Sequence, residues 1–148
     1  DGVPRQFGQT DYAGAALTKA LARSLGVSAW RAEELKRRRG LFVAPGEYDL
    51  ASSLTPFLDA ILQECGRVRS AFESAYHAGV GAAMLVGGGA DLPGIEEYVT
   101  SQLQLPLLAP QPFARVTLPP ATEPIQKSLA RHLALAVGLG LKILTPTE

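Results

Sequence analysis

Apolar residues recur at spacings of three and four over much of the chain, which is the pattern of amphipathic helices. The first such stretch begins at Gly14 and is predicted to end at Gly26, a residue suited to the left-handed position that follows a helix. Ser28 is the predicted N-cap of a second helix, which carries Arg31 to Arg39 and ends at Gly40.

A long third helix is predicted from about Leu50 to His77. Ser52 and Ser53 are its predicted caps, and Pro56 is expected in its first turn, where a missing N–H costs nothing. The apolar stripe that predicts this helix comprises Leu54, Leu58, Ile61, Leu62, Cys65, Val68, Phe72 and Tyr76.

Shorter apolar runs between turn signals predict strands. A polar and aromatic edge strand is predicted over Gln6 to Tyr12, and buried strands over Ala82 to Val86 and Leu105 to Leu108. A helix is predicted between the last two, over Pro93 to Gln104. Strand, helix, strand and then a final helix predict an α/β fold with a parallel sheet, whose ligand would bind at the carboxyl ends of the strands.

Turn residues and one strongly apolar segment complete the pattern. Leu41 to Tyr48, with its Pro-Gly pair, is predicted as a loop or small hairpin. The last helix, from Pro124 to about Leu144, is apolar nearly all round and is predicted to be buried. Its longest apolar run, Leu133 to Leu141, is too short to cross a bilayer. A non-helical connection before this helix is predicted from Pro110, Pro112, Pro119 and Pro120.

Composition excludes several classes of protein. With 148 residues and 15.6 kDa the chain forms one domain or two small lobes, and its 14 basic and 14 acidic side chains give no global attraction to nucleic acid or membranes. A single cysteine, Cys65, excludes an internal disulfide and favours a reducing, cytosolic compartment. Seven basic residues nevertheless lie between Lys19 and Arg39, either as a solvated helix end or as an anion-binding surface.

Two short motifs are candidates for ligand binding. Three glycines follow the predicted strand that ends at Val86, and backbone without Cβ atoms can approach a flat or charged ligand closely. They could equally form only a tight turn, because neither the dinucleotide nor the P-loop pattern is present. Glu33, Lys36 and Arg37 share one helical face, where they could contact a nucleoside or form only a Glu33–Arg37 ion pair.

Other reactive residue types are given structural roles. His77 and His132 lack a cysteine or carboxylate at metal-ligand spacing, and Cys65 is predicted to be a buried small hydrophobe. No G-x-S-x-G elbow supports a hydrolase triad. We therefore predict no catalytic residue and no metal site.

Taken in order, the motifs resemble the second half of the PilM family, actin-like proteins of the type IV pilus inner-membrane platform that are related to the cell-division protein FtsA. The resemblance spans essentially the whole chain. The motifs are Gly14-x-x-Leu17-Thr18, Ala32-Glu33-x-x-Lys36, Gly87-Gly88-Gly89-Ala90-x-Leu92-Pro93-Gly94 and Ala136-Val137-Gly138-Leu139-Gly140-Leu141.

This resemblance implies the second domain of an actin-like ATPase, a ribonuclease H-like sheet with flanking helices, truncated at its N-terminal strands, plus a small helical and hairpin subdomain. One C-terminal domain would span residues 1–148, with residues 27–78 as a peripheral insertion and residues 1–26 and 79–148 as the sheet-bearing part. A sheet edge exposed by the truncation would favour self-association.

In that superfamily ATP lies between two large domains, and the resemblance transfers its contacts by motif. Asp91 stands where large heat-shock chaperones carry an adenine-stacking arginine, a contact that a carboxylate cannot supply. The loops that grip phosphates and magnesium would lie upstream of Asp1, so the chain alone is expected neither to hydrolyse ATP nor to bind it tightly. The implied ribose and adenine contacts are Glu33, Lys36 and Arg37, and the implied adenosine and phosphate contacts are Gly87, Gly88, Gly89 and Leu92.

The resemblance also implies partners. The intact protein would be a cytoplasmic scaffold at the inner face of the bacterial inner membrane that binds ATP with Mg²⁺, a PilN-like cytoplasmic peptide and other pilus platform proteins. It would neither bind nucleic acid nor insert into the membrane. One alternative is an FtsA-like division protein, which the absence of a basic amphipathic tail at Thr145 to Glu148 disfavours. Another is an interaction module that does not depend on nucleotide.

Overall fold

The structure is a computed structural model that describes residues 3–42 and 50–144. Most of the predicted loop over Leu41 to Tyr48, and the tail from Thr145 to Glu148, lie outside the described residues. The helices are α1 (Gly14–Leu25), α2 (Ala29–Arg39), α3 (Leu50–Tyr76), α4 (Ile95–Leu103) and α5 (Gln126–Leu144), with 3₁₀ turns at Gly88–Asp91 and Pro120–Ile125.

The predicted ends of α1 and α2 are confirmed. Gly26 follows α1 in the left-handed conformation, with φ 64° and ψ 31°, and its N–H donates to the carbonyl of Ala22. The Ser28 hydroxyl accepts a hydrogen bond from the Arg31 N–H at 3.3 Å, as an N-cap does. Gly40 ends α2 with φ 55°.

Helix α3 is also confirmed, but three details of its prediction are wrong. Ser52, Ser53 and Pro56 all lie inside the helix, which begins at Leu50 in the described part of the chain. The Ser53 hydroxyl forms a hydrogen bond with Ser24 in α1 at 2.9 Å instead of capping α3. Cys65, predicted to be buried, is exposed, because the C-terminal half of the apolar stripe faces a partly open groove.

A small apolar core joins the first four helices. Helix α1 packs against α2 and α3, and α4 packs against α3. The first turns of α3 supply its buried face, and the 3₁₀ turn at Gly88–Asp91 leads directly into the core. The core residues are Leu17, Leu21, Ala32, Leu50, Leu54, Leu58, Leu92, Ile95 and Val99.

The predicted α/β fold is wrong, since residues 3–42 and 50–144 contain no sheet. The two predicted buried strands meet at one parallel bridge, in which Ala83 donates to Pro106 O at 3.0 Å and accepts from Leu108 N at 2.8 Å. Pro106 has no N–H for a longer ladder, and Gly81 weakens the other run. The ribonuclease H-like sheet of an actin-like domain is therefore absent from the described residues, and so is the sheet edge on which self-association was predicted.

The predicted edge strand over Gln6 to Tyr12 is also wrong. This segment is irregular and follows the surface of α3. The Arg5 guanidinium lies 5.7 Å from the centre of the Tyr76 ring, and Tyr12 packs edge-on against Phe57 with 5.6 Å between ring centres. Side-chain contacts with α3, rather than strand pairing, hold the segment in place.

Helix α5 is confirmed in position but is not buried as predicted. It packs against both 3₁₀ turns through one side, where Ala130 is buried. On its outer side Leu135 is 73% exposed and Ile143 is 79% exposed. None of the helices in the described ranges combines the length and hydropathy that a membrane crossing requires.

Candidate functional site

A cavity of about 800 Å³ lies between α1, α2, α3 and residues 87–92, which we call the glycine turn. Six of the seven binding residues predicted from the sequence line it, whereas Gly87 does not. The two motifs thus face one space, although a ligand there stays a prediction. The six residues are Glu33, Lys36, Arg37, Gly88, Gly89 and Leu92.

Lys36 lies at the centre of a closed hydrogen-bond network. Its ammonium group is 2.6 Å from Glu33 Oε2, 2.9 Å from Thr18 Oγ1 and 3.1 Å from the Gly14 carbonyl oxygen. An ammonium group has three N–H donors, so all three are matched by acceptors. Only 13% of the Lys36 side chain is exposed, and the network joins α2 to the first turn of α1.

Thr18 is buried and completes this network, a role that sequence reasoning missed. Its hydroxyl lies within hydrogen-bond distance of the Glu33 carboxylate and 2.9 Å from the Gly14 carbonyl oxygen. One hydroxyl proton can serve only one of these acceptors, and the charged carboxylate is the stronger. Because Gly14 and Thr18 are four residues apart on α1, their spacing was the available sequence signal.

Glu33 is held in its ionised form by these neighbours. Hydrogen bonds from Lys36, from Thr18 and from Arg37, whose Nε lies 2.8 Å from Oε1, lower the pKa of Glu33 to about 2. Partial burial acts in the opposite direction and is outweighed. The carboxylate accepts at both oxygens, so most of its acceptor capacity is used within the protein.

Arg37 keeps more of its hydrogen-bonding groups free than Glu33 and Lys36 do. Its side chain is 78% exposed, and only Nε is bonded to Glu33, which leaves the terminal amino groups without partners among the described residues. Other members of the basic run pair inside α2, where Glu34 contacts Arg31 at 2.6 Å and Arg38 at 3.8 Å. These pairs are typical of a solvated helix surface, whereas Arg37 can still bind a ligand.

The glycine turn presents bare backbone to the cavity. Gly87 has φ 83°, and the turn is closed by bonds from Ala90 N to Gly87 O and from Leu92 N to Gly89 O. The N–H groups of Gly88 and Gly89 have no acceptor in the described part of the chain. A Cβ atom at Gly88 would meet only His132 Nε2 within 4 Å, at 3.8 Å, so this face of the turn is open.

Asp91 and His132 add a polar pair to the cavity. The His132 Nε2 atom lies 3.2 Å from Asp91 Oδ2, and its Nδ1 atom lies 2.9 Å from the Ser128 carbonyl oxygen. Both ring nitrogens therefore face acceptors. Sequence reasoning assigned His132 a structural role because no cysteine or carboxylate lies near it at metal-ligand spacing, and its partner Asp91 lies 41 residues earlier in the chain.

The arrangement is suited to a flat ligand with polar edges, because apolar side chains such as Leu17, Leu58 and Ile61 line much of the cavity. The polar part of the lining consists of backbone N–H groups, a guanidinium group, an ammonium group, two carboxylates and an imidazole. Within residues 3–42 and 50–144, no group of three or more His, Cys, Asp or Glu side chains is placed to hold a metal ion.

Comparisons with known proteins identify the chain's relatives. One solved structure, described as a PilM-PilN type IV pilus biogenesis complex, is similar with a TM-score of 0.71 and 28% sequence identity over 90% of this chain. The chain spans only 37% of the length of that relative. Comparison with curated proteins gives no match. The family model of "Type IV pilus assembly protein PilM" matches residues 7–144, and the chain therefore belongs to the PilM family of type IV pilus assembly proteins.

Proposed function

We propose that this chain supplies the nucleoside-binding wall of an adenine nucleotide site in a cytoplasmic scaffold for type IV pilus assembly. The observation that carries the proposal is the shared cavity, which brings Arg37 and the Glu33–Lys36 network opposite the bare backbone of Gly88 and Gly89. Membership of the PilM family supports the pilus role.

The groups that can still form hydrogen bonds define how a nucleoside would bind. The terminal amino groups of Arg37 and the N–H groups of Gly88 and Gly89 are donors. Asp91 is already paired with His132, but its carboxylate has further lone pairs that can accept from ribose hydroxyls or an adenine amino group. Lys36 can contact the ligand only if it gives up one of its three internal bonds. Its main role is to hold α1 and α2 together at the edge of the cavity.

The charges around the cavity favour the nucleoside part of ATP over its phosphates. Lys36 and Arg37 contribute two positive charges, and Glu33 and Asp91 contribute two negative ones, so these four side chains sum to zero. A triphosphate-binding site normally concentrates positive charge. Adenosine should therefore bind this chain about as well as ATP, and both should bind weakly.

A titration of the ¹⁵N-labelled chain by NMR tests this proposal. Adenosine and Mg²⁺–ATP should each shift the amide signals of Arg37, Gly88 and Gly89, whereas inorganic triphosphate should not. Triphosphate binding with no effect of adenosine would contradict the nucleoside assignment. No shift at any millimolar ligand concentration would favour an interaction module that does not depend on nucleotide.

We propose a PilN-like partner for the intact protein, together with other platform proteins at the inner face of the inner membrane. The support is the similar structure, which is a complex of PilM with PilN. The test is co-purification of the longer protein with the cytoplasmic segment of its PilN, with and without residues 1–148. Unchanged recovery after the deletion would place the PilN contact outside this chain.

A further inference from the structure

Arg131, in α5, holds the glycine turn at two points. Its main-chain carbonyl oxygen accepts a hydrogen bond from the Gly87 N–H at 2.8 Å, and its guanidinium Nη1 donates to the Ala90 carbonyl oxygen at 2.7 Å. One residue thus binds the backbone on either side of Gly88 and Gly89. Because those glycines have no side chains that could pack, the bonds from Arg131 help to fix the turn against α5.

The guanidinium group extends this contact to two carboxylates. Arg131 Nη1 lies 3.6 Å from Asp91 Oδ1, and Nη2 is hydrogen-bonded to Glu96 in the first turn of α4. The Arg131 side chain is only 18% exposed, whereas the Asp91 and Glu96 side chains are 40% and 50% exposed, so water reaches only the carboxylate ends of these contacts. A planar group with five donors can hold these acceptors at the same time, which the ammonium group of a lysine cannot reproduce.

We propose that Arg131 is a positioning residue of the candidate site. It does not line the cavity itself, but it fixes the backbone of Gly88 and Gly89 against α5 and so sets their distance from Arg37 in α2. Its effect on ligand affinity rests on the nucleoside-binding function proposed above. The effect of Arg131 on the position of the turn does not depend on that function.

The test compares Arg131→Met and Arg131→Lys with a matched control, Arg69→Met. Arg69 makes the same kinds of contact elsewhere, to the Leu103 carbonyl oxygen at 3.2 Å and to Glu73 at 2.9 Å, and it does not line this cavity. NMR measures two quantities in each variant. One is hydrogen exchange at the amides of Ala90 and Leu92, which are hydrogen-bonded within the turn. The other is the affinity for adenosine.

We expect Arg131→Met to speed exchange at these two amides by about ten-fold and to weaken adenosine binding by about ten-fold, because the charge-assisted hydrogen bond to the Ala90 carbonyl oxygen is lost while the main-chain bond to Gly87 remains. Arg131→Lys should restore part of both effects, and Arg69→Met should show neither. Unchanged exchange at the turn would overturn the proposal. Faster exchange with unchanged affinity would overturn the effect of Arg131 on binding.

The design separates this proposal from the function on which it rests. If the unmodified chain does not bind adenosine, the nucleoside function fails, while hydrogen exchange still decides whether Arg131 positions the turn. If Arg131→Met does not fold, the Arg131→Lys variant supplies both measurements. A uniform rise in exchange throughout that variant, rather than a rise confined to the turn, would also overturn the proposal.

Discussion

Gly40 and Pro93 approach so closely that a Cβ atom on Gly40 would lie 2.2 Å from the Pro93 carbonyl oxygen. The same oxygen accepts a hydrogen bond from the N–H of Leu41 at 2.9 Å. The end of α2 is therefore fixed directly against the residues that lead into α4. Since Pro93 follows the glycine turn, this contact helps to set the spacing between the two sides of the cavity.

Substitution of Gly40 by alanine should strongly destabilise the chain. The new Cβ would meet backbone atoms that cannot move aside, and φ 55° with ψ −120° is a conformation that favours glycine. We expect a loss of about 3 kcal/mol or more in the free energy of unfolding, measured in urea. The control is Gly26→Ala, where φ is 64° but no atom lies within 4 Å, and about 1 kcal/mol should be lost. Equal losses in the two variants would show that the Pro93 contact adds nothing.

Removal of the Glu33 charge should destabilise the chain more than removal of the Glu34 charge. Glu33→Gln leaves the largely buried Lys36 ammonium without its carboxylate, so we expect a loss of about 1 to 2 kcal/mol in urea unfolding. Glu34→Gln breaks pairs only with the exposed Arg31 and Arg38, and the expected loss is about 0.5 kcal/mol or less. A larger loss for Glu34→Gln would contradict a central role for the Lys36 network.

The lowered pKa of Glu33 predicts how stability depends on pH. In the folded chain the pKa is about 2, below the ordinary value of 4.5, so the stabilising contribution of Glu33 is present above pH 4.5. It should be lost as the pH falls from 4.5 through about 2, because the unfolded chain then binds a proton more readily than the folded chain. The free energies of unfolding of the unmodified chain and of the Glu33→Gln variant should therefore differ less at low pH than at neutral pH. A difference in unfolding free energy that stays constant with pH would contradict the lowered pKa of Glu33.

A bulky side chain at Gly88 should occupy the candidate site without straining the backbone. Gly88 does not have a positive φ, and the space beyond it is open except for His132. We expect Gly88→Leu to fold and to abolish the adenosine shifts at Arg37. The matched control is Gly81→Leu, which likewise does not have a positive φ and has no atom within 4 Å of the new Cβ. Unchanged adenosine binding by Gly88→Leu would contradict the cavity as the binding site.

The end of α1 and both ends of α2 were predictable from the sequence because their signals are local. Gly26, Ser28 and Gly40 act through their own conformations or through bonds to residues three or four positions away. Strands were not predictable in this way. An apolar run such as Ala82 to Val86 does not reveal how many bonds its neighbours will supply, and here only Ala83 is paired.

The candidate site shows the same division between local and distant signals. The face shared by Glu33, Lys36 and Arg37 followed from helical spacing, and the structure places all three at the cavity. The contacts of Arg131 could not be predicted, because its acceptor Ala90 lies 41 positions earlier in the chain. Nor could the exposure of α5, since a helix that is apolar on most sides gives no preferred inner face.

The uneven burial of α3 has a consequence for motion in the chain. Its first turns place Leu50, Leu54 and Leu58 in the core, whereas its later turns contact the irregular segment around Arg5 and Gly8. Regions with few buried contacts open first, while the rest of a domain remains folded. We therefore expect the end of α3 near Tyr76 to fray before the part that holds Leu58 and Ile61, two of the residues that line the cavity.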